Sequence, residues 1–362
     1  MLPDRRAERQ AALRVALDDE GLDALLVTHL PNIRYLTGFS GSAALLLVRS
    51  DGTVLITDFR YAVQAPQEAG DAAQVEIDQK SVWDRLGKVL AAAPVGSIGI
   101  EAQAITVRDA ERVGGLTRAR LVPATDLVER LRAVKSPEEI AAVRAAATLA
   151  QDALAELLPT VRIGQTELEI GASLEAALRR RGSEWHPFPT IVASGPRAAL
   201  PHARTSARAI EAGEWLLLDF GAQVDGYCAD LTRTMVVGGR ANERQRTVYE
   251  LVQSAQRRAL EHLRAGMTGR EGDALAREVI AARGFGDAFG HSLGHGLGLE
   301  VHEAPRLAPT AETPLPLHAV VTVEPGIYLP GWGGVRLEDD VHLGPDGAEV
   351  LSDGRTDLLE LV

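Results

Sequence analysis

Residues 216–237 read LLLDFGAQVDGYCADLTRTMVV, two β-forming apolar runs joined across Val224-Asp225-Gly226-Tyr227. Asp225-Gly226 is a strong two-residue hairpin signal. With that turn, paired positions sum to 451, so Asp219 faces Thr232 and Asp230 faces Gly221. Strand side chains alternate with period two, which places Asp219 and Gly221 on one face. The carboxylates of Asp219 and Asp230 therefore become diagonal neighbours, with Cα atoms roughly 7–8 Å apart. Aspartate is depleted in strands and almost never fully buried without a partner. Turn-flanking surface aspartates fit poorly between LLL and MVV, and a metal ion is the simplest partner for two such acids. A bulge would shift the register by one residue and reverse this reading.

Working outward, the 362 residues suffice for two domains and a large buried core. A hydrophobic content of 46% with 24% charged residues is that of an ordinary globular chain. A net charge of -12 argues against nucleic-acid and anionic-membrane partners. A single cysteine, Cys228, excludes internal disulfides and a cysteine-based zinc cage, and its place inside the hairpin reads as small buried filler. MLPDRRAERQ at the N-terminus lacks an apolar h-region, and no apolar run approaches the ~18–20 residues of a membrane span, so the expected location is the cytoplasm.

Residues 4–20 have helical composition, with an apolar set at Leu13, Val15, Ala16 and Leu17 and a stop at Gly21. LDALLVT reads as a buried strand, HLPNIRYLTGFSGS as a loop, and AALLLVRS and TVLITD as strands about an Asp51-Gly52 turn. Helical segments near 60–69, 81–93 and 105–113 alternate with strands at QVEI, SIGIE and RLVPA, describing an α/β domain over 1–132. LRAVKSPEE marks a boundary, where Ser136 before Pro137-Glu138-Glu139 starts a helix to about Leu158. Thr166 caps a second helix that Gly182 closes. Beyond it, strands with two helices inserted near 241–264 and 268–283 predict an α+β domain over 133–362 with a curved antiparallel sheet.

GHSLGHGLGLEVHE, residues 290–303, holds His291, His295 and His302 among glycines that allow close backbone approach. It lacks the pattern of a phosphate loop. AVVTVEPGIYL ends a buried apolar strand on Glu324, and GGVRLEDDVHL reads as one alternating strand with Arg336, Glu338 and Asp340 on one face. A solvated face would explain Glu338 alone. Together with Asp219 and Asp230, these residues make an oxygen-rich set with histidine, which suits Mn²⁺ and also Co²⁺, Fe²⁺ or Zn²⁺. Two divalent cations need about this much negative charge.

LLLDFGAQVDGYCADLTRT, HSLGHGLGLEVHE, VEPGIY and GVRLED closely resemble the pita-bread metallopeptidases that cleave Xaa-Pro bonds, prolidase (Xaa-Pro dipeptidase) and aminopeptidase P. NIRYLTGFSGS and TDFRYAVQA look like the N-terminal domain of the small bacterial prolidase-like members, and IVASGPRAALPHA like the segment that carries a substrate-side histidine. The resemblance implies that Asp219 chelates one of two divalent metal ions, that Asp230 and Glu338 bridge both, and that His295 and Glu324 bind the second. It implies catalytic parts for His202, His302 and Glu324, with His202 and His302 contacting the scissile carbonyl or passing a proton to the leaving nitrogen. His291 becomes a wall residue of the substrate pocket, Arg336 an orienter of the carboxylates, and Tyr328 and Arg306 substrate contacts, Arg306 for a dipeptide's C-terminal carboxylate. The implied reaction is hydrolysis of a peptide with proline second, by a metal-bridging hydroxide, in a homodimer whose segment 32–35 reaches the partner.

Aminopeptidase P shares every implied ligand and acts on longer peptides. A methionine aminopeptidase lacks an N-terminal domain of this size. A non-catalytic peptide-binding module or a creatinase-like hydrolase has lost metal ligands that this chain keeps.

Overall fold

The structure, a computed structural model, describes residues 4–352 and 356–362; the first three residues of the charged N-terminal stretch lie outside it. The chain forms two compact units, one ending at Arg132 and the other beginning at Ala133.

The first unit runs α1 (Arg6–Asp19), β1 (Ala24–Val27), α2 (Leu30–Thr37), β2 (Ala44–Arg49), β3 (Gly52–Asp58), α3 (Gln64–Ala69), β4 (Gln74–Asp78), α4 (Val82–Ala92), β5 (Ser97–Glu101), α5 (Val107–Leu116), β6 (Arg120–Ala124) and α6 (Leu127–Arg132). Its six strands form one mixed sheet in the order β4-β3-β2-β1-β5-β6. The β1–β2 and β2–β3 pairs are antiparallel and the others parallel.

Three local expectations change here. The stretch predicted as loop carries α2, with Pro31 in its first turn and Gly38 closing it at φ 81°. This helix buries Asn32, Ile33 and Tyr35. Leu13 and Leu17, four residues apart, are the buried pair of α1, whereas Val15 is 61% exposed. The β2–β3 hairpin turns on Ser50-Asp51, because Arg49 pairs with Gly52.

The second unit comprises α7 (Pro137–Leu157), α8 (Glu167–Arg180), β7 (Ile191–Ser194), β8 (Glu214–Phe220), β9 (Gln223–Val224), β10 (Tyr227–Cys228), β11 (Leu231–Val237), α9 (Glu243–His262), α10 (Gly269–Ala282), β12 (Gly294–Gly296), β13 (Glu303–Leu307), β14 (Val320–Val323), β15 (Gly326–Leu329), β16 (Gly333–Arg336), β17 (Asp339–Gly344), β18 (Gly347–Val350) and β19 (Leu359–Leu361). All four helices start on capping boxes, at Ser136/Glu139, Thr166/Glu169, Asn242/Gln245 and Thr268/Glu271. The larger sheets are β19-β11-β8-β7 and β13-β12-β14-β17-β18, with β15-β16 and β9-β10 as ribbons. Pairing is antiparallel except that β19 runs parallel to β11.

The two faces of β8 and β11 belong to different cores. Leu216, Leu218, Phe220, Met235 and Val237 pack with α7 and α8, whereas Trp215, Leu217 and Val236 pack with α9, α10 and the second sheet. By strand parity Asp219, Asp230 and Thr232 share the second face, which therefore changes from apolar to acidic at one end. Burial of the leucines at about 1.5–3 kcal/mol each holds that acidic end in place.

GGVRLEDDVHL does not form one strand. Arg336 ends β16 opposite Gly326, Glu338 bridges to Thr232, and Asp339 begins β17 beside β14. The segment changes partners twice within four residues, which delivers Arg336 and Glu338 to one place from two sheets.

Candidate metal centre and substrate cleft

The hairpin has the register that the turn predicts. Asp219 pairs with Thr232, Phe220 with Leu231 and Val224 with Tyr227. The turn residues Asp225 (φ 51°) and Gly226 (φ 84°) take the left-handed conformations a type I′ turn needs. Asp219 and Asp230 are 8% and 5% exposed. Cys228 is buried beside them, and burial pushes its thiol up to about 12, so it is filler rather than a nucleophile.

Glu338 joins them through the Thr232 bridge. Its N–H donates to the Thr232 carbonyl at 3.1 Å, and Thr232 Oγ1 donates to Glu338 Oε2 at 2.6 Å. Asp230, His295 and Glu338 each offer one ligand atom within 4.8 Å of the others. His295 Nδ1 lies 3.1 Å from the Gly296 carbonyl, which fixes the proton on Nδ1 and turns the Nε2 lone pair toward the acids. That Nε2 is 3.4 Å from Glu324 Oε1 and 3.7 Å from Asp230 Oδ2. Glu324 follows β14, with its N–H on the Leu293 carbonyl and its carboxylate accepting from Thr322 Oγ1 at 3.2 Å.

A buried fork completes the constellation. Arg336 donates through Nη2 to Asp219 Oδ2, through Nε to Thr232 Oγ1 at 3.0 Å, and through Nη1 to Tyr328 Oη at 2.8 Å and the Pro201 carbonyl at 3.2 Å. Tyr328 Oη in turn lies 2.8 Å from His291 Nε2, and His291 Nδ1 lies 2.8 Å from the Ser292 carbonyl. Nδ1 therefore carries the imidazole proton, and the tyrosine donates to Nε2.

The charge balance asks for a cation. Asp230 and Glu338 are held well above the ordinary carboxylate range, by burial first and by neighbouring carboxylates second. Burial likewise pushes Glu324 up to about 8 and draws His295 and His291 down to about 4. Arg336 gives Asp219 a positive partner, yet Asp219 Oδ1 and Asp230 Oδ1 are buried without any hydrogen-bond donor. Orphaned carboxylate oxygens beside a neutral imidazole are what divalent cations fill, so the residues present fit a metal centre.

The acids lie in the floor of a cleft of about 1200 Å³. His202, Asp219, Asp230, His291, His295, His302, Arg306, Glu324, Arg336 and Glu338 all line it, and Tyr328 does not, standing behind His291 and Arg336. His202, His302 and Arg306 are exposed in its wall. The His302 ring stands 4.3 Å from that of His295, centroid to centroid, and burial lowers its pKa. The opposite wall comes from α8 and the segment after it, including Ala172, Glu175, Phe188 and Pro189. Those residues carry no local signal in the sequence. Nor does Thr322, which bridges His295 N–H and Glu324; Asp340, expected on the face of Arg336 and Glu338, accepts the Asp230 N–H at 3.2 Å. Thr232 was visible as the register partner of Asp219, but not its two side-chain bonds.

Residues 141–345 match the model of metallopeptidase family M24, and residues 9–134 that of the Creatinase/Prolidase N-terminal domain. The solved Xaa-Pro dipeptidase of Bacillus anthracis is 39% identical, with a TM-score of 0.95 over 98% of this chain and 100% of its own. The X-Pro aminopeptidase of Thermotoga maritima is 38% identical, with a TM-score of 0.89 over the same shares. The Xaa-Pro dipeptidase of Pyrococcus furiosus is 35% identical over 97% of this chain and 99% of its own. Among the described residues no helix is long and apolar enough to cross a membrane.

Proposed function

This chain belongs to metallopeptidase family M24, and from that membership we propose that it is a prolidase, hydrolysing the Xaa-Pro bond of dipeptides. The observation that carries the reading is the acidic floor of the cleft, where two buried carboxylate oxygens lack donors and His295 turns a lone pair toward them. Asp219, Asp230, His295, Glu324 and Glu338 would hold two divalent cations, manganese suiting the oxygen-rich set best and cobalt, iron or zinc being the alternatives. Such ions supply a Lewis acid and an activated water at neutral pH.

The remaining chemistry belongs to the chain's own side chains. An Xaa-Pro bond is a tertiary amide without an N–H, so a site that grips that donor cannot use it. His202 and His302 stand exposed in the wall, and we assign them to donate to the scissile carbonyl and to pass a proton to the proline nitrogen. Glu324, between His291 and His295, is the third catalytic side chain. Arg336 orients Asp219 while Tyr328 holds His291 in one tautomer. Arg306 presents a guanidinium for a free C-terminal carboxylate, which favours dipeptides. We also place the enzyme in the cytoplasm, as a homodimer.

The test compares turnover of Ala-Pro and Ala-Pro-Ala before and after chelation and metal return. Loss on chelation with a preference for Ala-Pro is expected. Preference for the tripeptide would favour the second reading, an Xaa-Pro aminopeptidase, which the size of the cleft and the Thermotoga relative support. Activity that survives thorough chelation sinks both.

A further inference from the structure

Glu167, the first residue of α8, is fully buried, with 0% exposed. Its carboxylate gathers donors from both ends of one loop. Oε1 accepts from Ser194 N–H at 2.8 Å and Ser194 Oγ at 2.9 Å. Oε2 accepts from Ser206 N–H at 3.0 Å and Ser206 Oγ at 2.6 Å. Arg197 Nε, from within the loop, lies 3.1 Å from each oxygen.

Residues 195–205 between those serines carry His202. The exposed ring of His202 makes no hydrogen bond to any other described residue, so its place in the cleft is set by its backbone alone. Three of the contacts on that backbone bear on where the ring stands. Leu168 N–H donates to the Ser206 carbonyl at 3.0 Å, Arg336 reaches the Pro201 carbonyl, and the Glu167 carboxylate closes the two ends together. The first and second fix single points, whereas the third spans the start of the loop and its finish. Arg208 Nη1 on Ser194 Oγ at 2.8 Å and Thr205 Oγ1 on the Thr190 carbonyl at 2.8 Å also tie the two ends, but only the Glu167 carboxylate gathers both serines and Arg197 on one group.

We propose that Glu167 is a positioning residue for His202, a buried carboxylate that draws residues 194–206 into the one shape that presents the imidazole to substrate. The inference rests on the reading of His202 as a substrate-contacting histidine. Glutamine at 167 keeps the volume but offers one acceptor oxygen and turns an NH₂ toward donors, so the loop ends lose half of their anchor. A displacement near 1 Å is enough to cost about 10²-fold in turnover.

The experiment is a double-mutant cycle on metal-loaded enzyme with Ala-Pro, using Glu167→Gln, His202→Ala and the pair, with bound metal and thermal unfolding measured for each. Glu167→Gln is expected to lower kcat by about 10- to 100-fold with a smaller change in KM and full metal content. In the His202→Ala background the same change should cost less than about twofold. An equal cost in both backgrounds overturns the inference, as does a Glu167→Gln enzyme with normal kcat. A fully active His202→Ala enzyme overturns the reading of His202 and this inference with it. Should Glu167→Gln fail to fold, Ser206→Ala, which removes one hydroxyl donor, runs through the same cycle with the same criteria.

Discussion

Lys135 Nζ lies 2.7 Å from Glu303 Oε1, and only 1% and 6% of the two side chains is exposed. The pair joins the residue before the α7 cap to the residue after His302, across 168 positions of sequence. Truncating one partner strands the other charge out of water, so Lys135→Met should cost about 3–5 kcal/mol. Replacing both, Lys135→Met with Glu303→Leu, should recover most of that loss. Urea unfolding of the two variants checks it. A single variant as stable as wild type would show that the pair contributes nothing.

Asp230→Ala should abolish turnover and metal uptake while keeping the fold. Its carboxylate sits among like charges, so metal-free protein should gain stability from the loss, whereas metal-loaded protein should lose the gain that a bound ion confers. Calorimetry with chelator and with added manganese measures both signs. A variant that melts lower than wild type in chelator contradicts the account.

Arg306→Leu should raise KM for Ala-Pro by about 10- to 100-fold, the worth of a charge-assisted hydrogen bond, with kcat little changed. Turnover of Ala-Pro-amide, which lacks the free carboxylate, should hardly respond. Equal losses on both substrates would remove Arg306 from carboxylate binding.

Asp23 accepts from Ser97 N–H at 2.8 Å, Gly96 N–H at 2.9 Å and Ser97 Oγ at 3.2 Å. These bonds, the Ser97 N–H first, hold its pKa below the ordinary 3.8. A depressed folded value means that the stabilisation is present above 3.8 and disappears as pH falls through the lower folded value. Asp23→Asn should therefore destabilise the first unit at neutral pH, and the gap from wild type should close as the medium is acidified below that point. A gap that is independent of pH refutes the assignment.

The hairpin register was legible because Asp225-Gly226 is a local instruction and period two carries it along both strands. Asp219, Asp230 and Glu324 were legible because they interrupt or follow apolar strand runs, where a solvated side chain has no place, and His291, His295 and His302 because they crowd among glycines within residues 290–303. What the sequence hid is of two kinds. The helix Leu30–Thr37 is too short for periodicity to register, and Pro31 and Gly38, which read as loop punctuation, are its start and stop. The switch of partners between Arg336 and Asp339 is set by the neighbouring strands, not by the alternation of the segment itself. Pairings such as Glu167 with Ser194 and Ser206, or Lys135 with Glu303, join distant positions and leave no mark on local pattern.

The Thr232–Glu338 bridge also bears on the order in which the molecule becomes itself. The strands that carry Asp219 and Asp230 can form their hairpin as soon as both have left the ribosome, since their pairing is short in sequence. Glu338 arrives more than a hundred residues later, and with it comes the Arg336 guanidinium that partners Asp219. Until then the growing chain exposes an acidic hairpin whose far neighbours do not exist, and long-range closure of this kind is the slow part of folding. A chain cut short before Arg336 therefore lacks both the guanidinium and the carboxylate that complete the acidic site.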